Sequence, residues 1–143
     1  HPHDVPGALS VSFASFVGIP HVDLGRDRSG ADCWGLARLV YAEDLGIELP
    51  SLLEEYASCT DHAAIAMLMA QGERAGPWRP VDRIKPYDLL RFRVGRHDTH
   101  VAVAVDRRRM LHAHARRHAV IVPRNIPEWR DRFTGAFRHE AMP

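Results

Sequence analysis

The residues of this chain best suited to chemistry are one cysteine and a set of histidines. Cys33 sits in "GADCWGL", residues 30–36, directly after Asp32, a residue type that caps helix N-termini. A sulfur one residue into a helix meets unpaired N–H groups and the positive end of the helix dipole. Both favour a thiolate over a thiol, one of the standard ways to make sulfur a nucleophile. Cysteine also packs as a small apolar residue, so position alone leaves nucleophile and core residue open. Cys59 lacks such a setting and reads as structural; neither cysteine has CxxC spacing, and both are expected to be free thiols.

A thiol nucleophile needs an imidazole as base and a third group to orient that imidazole. Ten histidines make a partner easy to nominate. The informative ones lie in "THVAVAVDRRRMLHAHA". His100 opens one strand and His112 lies on the next, across a turn. With a three-residue turn, Asp106 to Arg108, Val105 pairs with Arg109 and His112 falls opposite Ala102. His112 then shares a face with His100, one diagonal step away and within reach of long side chains. A two-residue turn would put the two rings on opposite faces. His114 shares the face of His112, so spacing does not choose between them. Cys33, His100 and His112 are also zinc-type ligands, but their spacing fits no compact zinc motif, and no metal or other cofactor is expected.

The elements that must position these residues follow from periodicity. "ALSVSFASFVG" (residues 8–18) reads as a helix ending at a glycine, and "HVDLGRDRSGA" as a loop. A helix opens at Asp32 and stops near Gly46. A short one is expected over 51–56, and another from Thr60 or Asp61 to Gly72. From Tyr87 the period becomes two, with strands at 87–94, 100–106, 110–115 and 119–122. A helical turn over 125–133 and a last strand at 134–139 follow. Helices first and an antiparallel sheet second is the α+β pattern. Ala102, Ala104 and Ala113 are expected to leave room for the Cys33 helix, with Val101, Val103 and Val105 on the other face.

The totals narrow the partners. A chain of 143 residues, 45% apolar, suits one domain over 1–143. A net charge of +1 gives no reason to invoke nucleic acid. The arginines at 107–109, 116 and 117 suit an anionic surface or ligand, though such a cluster is more often only a solvated turn. No run is long enough for a membrane span. Ala8 to Ile19 lacks the basic flank and cleavage site of a signal peptide, so cytoplasmic synthesis without one is expected.

Taken together, "GADCWGLARLVY" and "KPYDLLRFRVGRHDTHVAVAVDRRRMLHA" resemble the NlpC/P60 family of cell-wall cysteine peptidases. The matching pattern is a D-C-x-G-[LF] helix, a Pro-Gly-Asp-Leu strand, a [ST]-H-V-[AG] strand and an apolar-His-Ala strand, in order. "IPEWRDRFTGAFRH" fits the family's end, and the similarity runs from about Phe16 to Phe137. "GRDRSGADCWGL" looks like the subgroup of phage tails and gene transfer agents.

The resemblance implies a papain-like fold that works without a metal. It makes Cys33 the nucleophile, His100 the base and His112, rather than His114, the orienting residue. Asp32, Trp34 and His21 are then candidates for oxyanion or substrate binding. His21 stands where many members have a tyrosine, and Pro86-Tyr87-Asp88 replaces Pro-Gly-Asp. The implied substrate is the peptidoglycan stem peptide, typically its γ-D-glutamyl–diaminopimelate bond. The implied partners are tail or baseplate hub proteins, with action from the tail tip on the periplasm and cell wall. A catalytically idle tail component, or an amidase or acyltransferase of the same fold, are the alternatives.

Overall fold

The computed structural model describes residues 13–52, 62–114 and 117–142. Phe13 and Phe16 are buried at the end of the first expected helix, and the chain turns at Gly18, φ +94°. Residues 8–12, most of the short helix expected over 51–56, and Cys59 lie outside the described residues.

A small hairpin comes next. Strands β1 (Arg26–Asp27) and β2 (Gly30–Ala31) pair antiparallel in what reads as a loop by sequence. Helix α1 (Cys33–Val40) opens directly after it. Asp32 caps α1 as expected, its carboxylate accepting from Gly35 N at 2.8 Å. The helix passes into a π turn over Tyr41–Leu45 and ends at Gly46, whose φ of +67° suits a glycine C-cap. Helix α2 (His62–Arg74) runs two residues past the stop expected at Gly72. That glycine is there for space: a Cβ on it would sit 3.3 Å from the Trp78 ring.

Six antiparallel strands form the sheet: β3 (Trp78–Val81), β4 (Leu89–Val94), β5 (His97–Ala104), β6 (Arg109–His112), β7 (Val120–Pro123) and β8 (Phe133–His139). Their spatial order is β3-β8-β4-β5-β6-β7, so the last strand lies between β3 and β4. A single helical turn, α3 (Pro127–Arg130), precedes β8. Strand β3 is absent from the sequence reading, and β5 starts three residues earlier than expected. The helices and antiparallel sheet make an α+β, papain-like fold.

Each sheet face carries its own core. On one, Leu36, Ala37 and Val40 of α1 pack with Leu89, Val103, Val105 and Leu111. On the other, Leu90, Phe92, Ala102, Ala104 and Met110 surround Trp129. This corrects the expectation for the alanines. The valine side receives the helix, because branched side chains fill the helix–sheet gap. Ala102 and Ala104 instead make room for the aromatic rings opposite, and only Ala113 lies in the helix-side cluster.

Candidate active site

The register between β5 and β6 decides which way His112 points. Ala104 pairs with Met110 and Val103 with Leu111, and Val105 N donates to Arg109 O. Asp106 to Arg108 thus form the three-residue turn, held by Asp106 Oδ1 accepting from Arg108 N and Arg109 N at 2.8 Å. His100 Nε2 and His112 Nδ1 lie 2.8 Å apart in a hydrogen bond. Both residues are buried, at 2% and 6% exposure. His114 also stands beside His100, ring centroids 4.8 Å apart.

A slip in the sheet lies where the cysteine meets β5. Phe92 pairs with His100 but Arg93 pairs with Asp98, which leaves Thr99 as an extra residue on β5. Such bulges re-aim the neighbouring side chains. The carbonyl of Thr99 meets Cys33 Sγ at 3.9 Å, so the sulfur at the tip of α1 touches the residue next to His100. Cys33 is half-buried and lines a cavity of about 530 Å³. Among the described residues, no group of three His, Cys, Asp or Glu side chains is placed to hold a metal ion.

The other candidates are placed as follows. The Asp32 carboxylate, nearly fully buried, serves the helix cap and also accepts from Arg26 Nη1 at 2.8 Å. Trp34 lines the cavity beside Cys33 and donates from Nε1 to Pro50 O at 2.8 Å. His21 is half-buried and near enough to His100 and His114 for its charge to disfavour protonation of both. The turn arginines are exposed, and Arg109 pairs with Asp106 at 3.0 Å.

Burial is the main force on the imidazoles. It holds His100 well below the ordinary imidazole range, with smaller contributions from His112, His114 and His21. Burial, then His114, lowers His112 to about 4. His100 is therefore neutral at pH 7, which is the form a general base must have.

Sequence reasoning missed Trp129. Its ring stacks on His100, centroids 4.6 Å apart and planes 24° apart, and meets His112 and His114 edge-on. Trp129 comes 17 residues after His112 on another element, so no spacing rule links them.

A cysteine at a helix tip thus touches the residue that precedes one of two hydrogen-bonded histidines on adjacent strands. The NlpC/P60 family profile matches residues 18–138, and the chain belongs to that family. It is 24% identical over 135 residues to murein DD-endopeptidase MepS/murein LD-carboxypeptidase of Escherichia coli K12. That match covers 94% of this chain but 63% of the relative, so the chain spans under two thirds of it. The NlpC/p60 domain of peptidoglycan hydrolase SagA superposes with TM-score 0.63 at 22% identity, over 94% of this chain and 98% of that one. An NlpC/P60 family protein from Bacillus cereus ATCC 10987 gives 0.66 at 23%, over 94% and 40%.

Proposed function

We propose that the protein is a cysteine peptidase that hydrolyses amide bonds in peptidoglycan stem peptides. The observation that carries the reading is the buried His100–His112 hydrogen bond, set one residue from the backbone carbonyl that Cys33 touches. Family membership and the similarity to the murein endopeptidase MepS and the peptidoglycan hydrolase SagA support the substrate class.

In this reading His112 Nδ1 accepts the Nε2–H of His100. That fixes the tautomer and leaves Nδ1 of His100 to take the thiol proton. The sulfur attacks the amide carbonyl. The Cys33 backbone N–H and the His21 ring receive the oxyanion, each well-aimed donor contributing about 3 kcal/mol. The C–N bond breaks as His100 returns its proton to the leaving amine. Water then cleaves the thioester, releasing the acid and restoring the thiol. Asp32 holds the helix tip still, and Trp34 forms a wall of the cavity where substrate enters.

The γ-D-glutamyl–diaminopimelate bond is the finer proposal, and it rests on the family resemblance. Placement at the tail tip of a phage-like particle, with hub proteins as partners and the periplasmic cell wall as the site of action, rests on "GRDRSGADCWGL" alone. Digestion of peptidoglycan by wild type and by Cys33→Ala, with fragments identified by mass, tests activity and bond together. New termini at one amide, lost in the variant, are expected. An intact wall with both proteins would favour the idle tail component.

One observation favours a second reading, an amidase or acyltransferase for an apolar acyl group. The cavity beside Cys33 is walled by Trp34, Leu52, Met69, Trp78, Val101 and Phe137, and its Arg91 and Glu73 neutralise each other at 2.8 Å. Turnover of an N-acyl amide with the wall left intact would select it.

A further inference from the structure

We infer that Trp129 is a positioning residue for the catalytic pair, holding the plane of the His100 ring and sealing the His100–His112 hydrogen bond from water. The inference rests on the reading of Cys33 and His100 as a working pair, though not on which amide they cut.

Trp129 is 1% exposed and lies on the one-turn helix α3, away from the strands that carry the histidines. It meets three imidazoles at once. One face stacks on His100, while His112 and His114 stand perpendicular to it at 5.3 and 4.9 Å. Phe92, edge-on to the indole at 5.4 Å, closes the box from β4. Core packing alone does not require a ring parallel to an imidazole. That geometry blocks rotation about the His100 ring axis, and with it loss of the His112 bond.

Beside the indole lies a second cavity of about 190 Å³, lined by His112, His114, Glu128 and Trp129 together with Val120, Val122 and Ile126. His100 does not line that space, and the indole, with His112 and His114, stands at its wall. Without the indole, water would compete for Nε2 of His100 and hydrate the imidazolium that forms when the thiol gives up its proton. The charged and titratable groups around the box are His21, His112 and His114, with Glu128, Arg117 and Arg132 facing His114. The Arg132 guanidinium lies 5.6 Å from the indole centroid. Of these only Glu128 favours protonation of His114, and burial outweighs it.

The test follows alkylation of Cys33 by iodoacetamide against pH, quantified on the Cys33 peptide by mass, in wild type, Trp129→Phe and Trp129→Ala. Alkylation needs no cell wall, so it separates this inference from the substrate reading. Trp129→Phe keeps an aromatic face and should keep the wild-type profile. Trp129→Ala should move the acid limb to higher pH, as His100 is hydrated, and lower the turnover of peptidoglycan about tenfold to a hundredfold with little change in KM. A folded Trp129→Ala with the wild-type pH profile overturns the proposal. If that variant does not fold, nitrogen-15 NMR of the wild-type histidine rings decides. A His100 Nε2 proton protected from exchange supports the seal, and one exchanging at the rate of a free imidazole overturns it.

Discussion

At His112 a buried imidazole ties the site to the stability of the fold, with a definite sign. Its folded pKa is lowered from the ordinary 6.5 to about 4, by burial first and His114 second. Above pH 6.5 the ring is neutral in folded and unfolded chains alike, and protonation costs nothing. As pH falls from there to about 4, the unfolded chain takes up a proton that the folded one refuses, so stability drops through this window. The full drop for this one ring is on the order of 3 kcal/mol. His112→Gln cannot titrate, so urea unfolding at about pH 7.5 and about pH 4.5 should show a shallower loss for it than for wild type by that order. Equal losses would mean that the ring is not held neutral in the folded state. The same displacement of His100 lets the proposed base stay neutral in mildly acidic solution, where an exposed imidazole would be charged. Peptidase activity should therefore persist below pH 6.5, and an acid limb at the ordinary imidazole value would contradict a buried base.

Among the elements, α1 and the hairpin before it set where the sulfur stands, and Gly35 is the point of contact. A Cβ added there would lie 2.0 Å from the carbonyl oxygen of Gly25 and 3.3 Å from the Ala31 methyl. In an open helix Gly→Ala stabilises by about 1 kcal/mol. Here the methyl must push the hairpin off the helix, so Gly35→Ala should destabilise by about 1 to 3 kcal/mol in urea and slow alkylation of Cys33. A stabilised variant would show that the hairpin does not press on the helix. This also explains what was legible in the sequence. The cap at Asp32, the alternation in "YDLLRFRV" and "HVAVAV", and the turn at Asp106 are local signals, and together they put His100 and His112 on one face. Strands of two residues, β1 and β2, carry no period at all. Strand β3 contains Pro80 and exposes its middle residues, so its pattern does not alternate. Gly72 reads as a helix stop, but its reason is Trp78, a contact made only in three dimensions. Trp129 was hidden for the same cause. The tyrosine in place of the family's glycine is visible in sequence, yet its cost is not. Tyr87 has φ +74°, a region where glycine is at ease, and it is held there by Ala104 O accepting from its N–H and by its hydroxyl donating to Asp44.

The whole molecule depends on a strand that arrives last and pairs in the middle. Strand β8 must insert between β3 and β4, and a buried ion pair fastens it: Arg138 Nε and Nη2 donate to the two Asp88 carboxylate oxygens at 2.8 and 2.7 Å. The side chains are 11% and 2% exposed. Arg138 also donates to Arg83 O, and Lys85 N to Asp88 Oδ2, so the pair clips the turn before β4 onto β8. Two charges taken from water gain little over an apolar pair of the same volume, but removing one leaves the other buried and uncompensated. Asp88→Asn should therefore lose about 3 to 5 kcal/mol by urea unfolding, far more than an exposed ion pair would. The double change Asp88→Leu with Arg138→Met should lose much less, because no charge is then stranded. Phe92, the strand partner of His100, lies four residues further along β4 from Asp88. Turnover per folded molecule should thus stay at the wild-type value in both variants. If Asp88→Asn instead abolished turnover in protein that remained folded, the latch and the site would be one unit.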